Sequence, residues 1–260
     1  MDSQAVVQEQ IESTAIIRLT RPDKLNALSP EMMATVSDLF SSFRQRPELR
    51  AIILTGSGDK AFCSGTDIAE IAEDRERRAR EISERGQALC NLIENCSVPV
   101  IAAINGIAAG GGCELALACH LRLAADSAQF SLPETKLGVL PAYGGTQRLA
   151  REIGEARALE IMLTGRTVGA GEALQLGLVN RVTSGAKLLN EATALAHEIA
   201  QLAPLAIRAC LQAVIEGQSL PLDEGLALET KLFSSLFETS DVREGTRAFL
   251  EKRKPVFKGA

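Results

Sequence analysis

The chain has 260 residues, 46% hydrophobic and 23% charged, with a formal net charge of −5. That length can bury a substantial core in one large domain or a domain with an appendage. No apolar run reaches the length of about eighteen residues that a membrane span needs. Positive residues form no long tract, so neither a nucleic acid nor a membrane is an expected partner.

The six cysteines, Cys63, Cys90, Cys96, Cys113, Cys119 and Cys210, form no C-x-x-C pair, and only His120 and His197 could join them as ligands. No metal site is expected on that spacing. Reduced, mostly buried thiols fit better, and with them a cytoplasmic location. Asp2, Glu9 and Glu12 precede the strand-like Ala15-Ile16-Ile17, which fits neither a secretory signal nor an Arg-rich transit peptide.

In chain order, short β-branched runs at 15–19, 51–55 and 98–104 alternate with helical segments, an α/β rhythm. Between the first two, Ser29 as cap, Pro30 at the first helical position and Glu31 behind it announce a helix. Met33, Val36, Leu39, Phe40 and Phe43 form its apolar stripe. A second helix is expected over about 72–95, charged and exposed between Glu73 and Arg85, then apolar through Ala88, Leu89, Leu92 and Ile93. Beyond about residue 183 the strand signals stop, and helices are predicted at 186–201, 204–216, 222–238 and 242–252. Leu222, Leu226, Phe233, Leu236 and Phe237 keep helical spacing, and that much apolar surface needs either the main domain or another subunit as a partner.

The segment from Val98 to Ala118 reads strand, turn, glycines, helix, with Gly110-Gly111-Gly112 opening the helix. Such glycines admit a ligand close to the backbone, and the first-turn N–H groups favour negative charge; the same glycines also suit close packing of strand and helix. Glu114 sits in that first turn among apolar neighbours. It either complements the helix dipole or serves chemistry, and desolvation and nearby amides pull its pKa in opposite directions. Glu134 follows Pro133, between a strand-like stretch and Gly138.

Two carboxylates on separate loops can divide acid and base roles, as in glycoside hydrolysis. Sugar sites present aromatic faces, however, and this chain has no tryptophan and one tyrosine, Tyr143. A third region, 61–68, joins a tight turn at Gly65 to a helix start and offers further backbone donors. Ser64 and Cys63 lie there, but no G-x-S-x-G or histidine motif supports covalent catalysis. Gly56-Ser57-Gly58-Asp59-Lys60 falls short of a phosphate loop, and the glycines at 169–174 fall short of a dinucleotide fingerprint, so no nucleotide cofactor is expected.

These segments, in this order, resemble the enoyl-CoA hydratase/isomerase (crotonase) family over nearly the whole chain. The carriers are Arg21 to Leu28, Ala61 to Ile68, Pro99 to Leu117, Pro133-Glu134 through Gly138, Gly144 to Leu149, Leu163 to Gly165 and Glu172 to Val179. The resemblance implies a crotonase-like spiral of repeated β-β-α turns over 1–184 and a C-terminal helical oligomerisation module over 185–260, assembled as a trimer or dimer of trimers. It implies an oxyanion hole from the backbone N–H groups of Thr66 and Gly111, and a coenzyme A and substrate path along Lys24, Thr66, Asp67, Ile68, Ala69 and Gly111. Lys60, Lys254 and Lys258 are weaker candidates for its phosphates.

The implied reaction is reversible addition of water to a trans-2-enoyl-CoA, giving a 3-hydroxyacyl-CoA, in fatty-acid or branched-chain acyl-CoA metabolism. Glu114 would activate the water and Glu134 deliver the proton at C2. Coenzyme A arrives with the substrate, so no further cofactor is implied. Family members with other reactions, isomerases included, often lose one glutamate, so both together favour a hydratase. Two departures bear on substrate: Leu132 stands where some short-chain hydratases carry glutamine, and Thr66 where alanine is usual, its β-branched side chain narrowing the acyl pocket. The stretch 133–137 also resembles methylglutaconyl-CoA hydratases, some associated with AU-rich RNA. Arg44 and Arg46 against Glu31 and Asp38 make no basic stripe for that role.

Overall fold

The computed structural model describes residues 4–67 and 75–260. The chain runs β1 (Val6–Ile11), β2 (Thr14–Leu19), α1 (Pro30–Phe43), β3 (Ala51–Gly56), β4 (Ala61–Cys63), α2 (Arg75–Glu94), β5 (Val100–Ile104), β6 (Ile107–Ala109), α3 (Gly111–Ala118), β7 (Leu121–Ala125) and β8 (Gln129–Ser131). It continues through α4 (Gly145–Ile153), α5 (Glu155–Thr164), β9 (Val168–Gly169), α6 (Ala170–Gln175), β10 (Arg181–Thr183), α7 (Gly185–Ala200), α8 (Pro204–Gly217), α9 (Leu222–Leu236) and α10 (Ser240–Leu250).

The strands form a six-stranded sheet in the order β1-β2-β3-β5-β7-β10 and a four-stranded sheet in the order β4-β6-β8-β9. Three successive turns each place one strand in the large sheet, one in the small sheet and then a helix: β3-β4-α2, β5-β6-α3 and β7-β8-α4. That is the β-β-α spiral. Strand β5, Val-Ile-Ala-Ala-Ile, is buried throughout because both faces of the parallel sheet are covered. Val100, Ala102 and Ile104 face the main core, whereas Ile101 and Ala103 face α7, which lays Leu188, Ala192 and Ala196 against them. Each such buried isoleucine or leucine contributes about 1.5–3 kcal/mol relative to exposure.

Helix α1 begins as its sequence predicts, the Ser29 hydroxyl accepting from Met32 N–H, and it buries Met32, Met33, Val36, Phe40 and Phe43. Strand β1 lies outside the sequence-based expectation. It is an edge strand with Gln8, Glu9 and Gln10 exposed, so no apolar alternation marks it. Helices α7 to α10 occupy the tail as predicted, and α8 and α9 have no buried residue.

Candidate active site

The loop after β4 is positioned by the segment from Arg21 to Leu28. Leu25 and Asn26 both adopt the left-handed conformation (φ 51° and 55°). Asn26 is fully buried, and its side-chain amide donates to Ser57 O at 3.0 Å and Ala61 O at 2.8 Å. Fixed in this way, the segment receives the loop: Leu28 N–H donates to Gly65 O at 2.8 Å and Asp67 N–H to Leu28 O at 3.0 Å. This parallel bridge uses the groups either side of Thr66, so the N–H of Thr66 itself faces away from Leu28.

The glycine triplet divides its duties. Gly110 takes a positive φ of 51° as the N-cap of α3. A Cβ on Gly112 would stand 2.0 Å from Cys63 O, so that glycine serves close packing. Gly111 lies at the first position of α3, where no intrahelical acceptor exists for its N–H. A Cβ on Gly65 would be 3.3 Å from that N and one on Gly111 3.2 Å from Thr66 Oγ1, which brings the two expected donor residues side by side.

Glu114, one turn into α3, is 2% exposed, and its Oε1 accepts from Tyr143 N–H at 2.8 Å and Gly145 N–H at 2.6 Å. Burial pushes its pKa up to about 7, the charge of Glu134 acting in the same direction, and the two amides do not offset this. Glu134 begins the 3₁₀ turn Glu134–Leu137, with Pro133 as N-cap and Gly138 left-handed behind it. Its Oε1 lies 3.0 Å from where a Cβ on Gly110 would sit, and its Oε2 is buried without a hydrogen-bond partner among the described residues. Burial raises its pKa as well. The site therefore sets two carboxyls that hold protons unusually well beside two backbone donors with no acceptor among the described residues, a combination suited to moving a proton while an oxyanion develops.

The family model for enoyl-CoA hydratase/isomerase matches residues 9–260. The chain belongs to the enoyl-CoA hydratase/isomerase family. It is 40% identical over 252 residues to the crotonyl-CoA hydratase of Syntrophomonas wolfei, covering 97% of each chain. It is also 37% identical over 254 residues to the short-chain-enoyl-CoA hydratase of Clostridium acetobutylicum, covering 98% of this chain and 97% of the other. The crystal structure of an enoyl-CoA hydratase from Bacillus anthracis superposes with a TM-score of 0.96 at 39% identity, over 99% of this chain and all of that one. The spiral of this enoyl-CoA hydratase/isomerase family member is thus the crotonase fold.

Within this family member, Glu114, Glu134, Thr66 and Gly111 come together. Asp67 pairs with Arg21, Oδ2 to Nη2 at 3.1 Å. Lys24 is exposed at the end of the 3₁₀ turn Pro22–Lys24, and its carbonyl accepts from the Ser64 hydroxyl at 3.4 Å. Ile68 and Ala69 lie outside the described residues. Burial pushes the Cys63 thiol up to about 12, which suits a packed thiol and not a nucleophile.

Tyr143 and Gly145 are the site residues that sequence reasoning passed over. Their contribution to Glu114 is made by backbone amides, which leave no side-chain signature. A cleft of about 1200 Å³ lies elsewhere, between Asn91, Glu94, Leu117, Arg148 and the α8 residues Cys210 and Val214.

Proposed function

We propose that this chain catalyses the reversible addition of water across the double bond of a trans-2-enoyl-CoA, giving a 3-hydroxyacyl-CoA. The observation that carries the reading is the pairing of two proton-retaining carboxyls, buried Glu114 and half-buried Glu134, with the N–H groups of Thr66 and Gly111, which have no acceptor among the described residues. The relatives named for hydration of crotonyl-CoA and short-chain enoyl-CoA support it.

As water oxygen bonds to C3, the π electrons move towards the thioester oxygen. Two fixed N–H donors there would stabilise the enolate-like state by about 2.7–4 kcal/mol each. The carboxylate of Glu114, its Oε1 tethered by two amides, takes the proton that water releases. The carboxyl of Glu134 gives its proton to C2 as the enolate collapses, and the coupled pair then exchanges protons to reset. The two glutamates and the two amides supply every proton transfer and charge-stabilising contact of these steps, so no cofactor beyond the coenzyme A of the substrate is proposed. That moiety would run along Lys24, Thr66, Asp67 and Gly111.

Assembly completes the reading. Among the described residues, Leu222 is 80% exposed and Phe249 83%. A homotrimer, alone or paired as a dimer of trimers, would bury them. No single helix among the described residues is long and apolar enough to cross a membrane, and the proposed location is the cytoplasm.

The test is hydration of a panel of enoyl-CoA thioesters, straight-chain and 3-methyl-branched, followed by loss of the conjugated absorbance. Turnover of at least one is expected; none with any overturns the proposal.

A further inference from the structure

Tyr143, the one tyrosine of the chain, is 3% exposed and held at every end. Its N–H donates to Glu114 Oε1 at 2.8 Å, its carbonyl accepts from Arg148 Nη1 at 3.0 Å, and its hydroxyl is hydrogen-bonded to Thr66 Oγ1 at 2.7 Å. The carbonyl of the preceding Ala142 accepts from Ser83 Oγ at 2.9 Å and Gln87 Nε2 at 3.1 Å, which ties the segment to α2. The ring lies between two glycines. A Cβ on Gly111 would be 3.0 and 3.1 Å from two of its carbons, and a Cβ on Gly86 of α2 would overlap it at 1.9 Å. One residue thus touches the glutamate that the mechanism uses as base and both residues whose amides it uses as oxyanion donors.

We infer that the Tyr143 ring is the wall that ends the acyl pocket and restricts this enzyme to short-chain enoyl thioesters, an inference that rests on the site proposed above. A thioester oxygen between the Thr66 and Gly111 amides, with its reacting carbons beside Glu114, would bring its acyl chain towards Gly111, against which the ring packs. The ring cannot retreat. Gly86 is already closer than any side chain would allow, and swinging outward breaks the Thr66 hydrogen bond. Thr66 therefore limits the pocket chiefly by locking the tyrosine in place, rather than through its own bulk.

The test compares kcat/KM over trans-2-enoyl-CoA substrates of four to ten carbons. Tyr143→Ala keeps the amide that holds Glu114 and removes the wall. The ten-carbon to four-carbon ratio is expected to rise at least about tenfold, since one methylene in an apolar pocket is worth about 10–200-fold. Tyr143→Phe keeps the ring but loses its bond to Thr66, and is expected to shift the ranking in the same direction by less than Tyr143→Ala. Tyr143→Leu, a milder truncation, should shift the ranking in the same direction by less, and it carries the test if the alanine variant folds poorly. An unchanged ranking in the truncated variants, or an equal shift in Tyr143→Phe, overturns the inference. Failure of the underlying site reads differently: Glu114→Gln would then retain turnover at every chain length.

Discussion

Gly145 donates its amide hydrogen to Glu114 Oε1 at 2.6 Å, and a Cβ on that glycine would stand 2.8 Å from the same oxygen. The amide that holds the carboxylate is thus carried by a residue with no room for a side chain. Gly145→Ala should push Glu114 aside while leaving the spiral intact. A displacement of about 1 Å in a reacting group costs roughly 10²-fold, so kcat should fall by about that factor with KM little changed. Steady-state kinetics alongside circular dichroism checks this.

Replacing either carboxyl removes a proton carrier but keeps the shape of the site. Glu114→Gln and Glu134→Gln should each lower kcat by about 10²–10⁴-fold, the usual range for general acid–base groups. Calorimetric titration with a saturated acyl-CoA should show affinity within a few-fold of the parent. Wild-type turnover in both variants would sink the assignment.

Glu114 keeps its proton to about 7 in the folded chain, against an ordinary value of 4.5. Between those values the folded state binds more protons than the unfolded state, so this group makes stability fall as the pH rises through the window. Glu114→Gln abolishes that slope. Relative to the parent, the variant should gain on the order of 2 kcal/mol between about pH 4 and about pH 8, read by urea unfolding at both. As a base, Glu114 must be ionised, so kcat/KM should climb through about pH 7.

Arg122 is 5% exposed, bridges to Glu152 at 2.9 Å and donates to Leu178 O and Cys119 O, each at 2.7 Å. Arg122→Met leaves two buried carbonyls without that donor, at a cost of at least about 2 kcal/mol. Urea denaturation of the variant measures it.

Phe233 is 61% exposed and stacks edge-on with Phe237 at 5.1 Å, on a helix with no buried residue. Phe233→Lys should reduce the mass seen by light scattering from that of an oligomer towards that of one chain. A wild-type chain that is already monomeric would refute the proposed assembly.

Local signals were legible wherever they were complete in themselves. Ser29 and Pro30 mark the start of α1 because cap and first-turn geometry are short-range, and the unbroken apolar run of β5 marks a strand covered on both faces. Strand β1 was invisible because its exposed Gln8, Glu9 and Gln10 mark an edge that carries no alternation.

Sequence alone determined the family, the helical tail and the residue types at the site: two glutamates, a glycine-led helix start and a second glycine turn. Tertiary structure decided what those residues do to one another. Tyr143 and Gly145 reach Glu114 across 29 and 31 residues, and the pKa of that carboxyl rises because the folded core strips its water more strongly than two amides can offset. Desolvation and long-range hydrogen bonds exist only once the chain has closed on itself. The placement of Tyr143 between Gly86 and Gly111 is of the same kind, since nothing in the neighbourhood of a lone tyrosine names the glycines that make room for it.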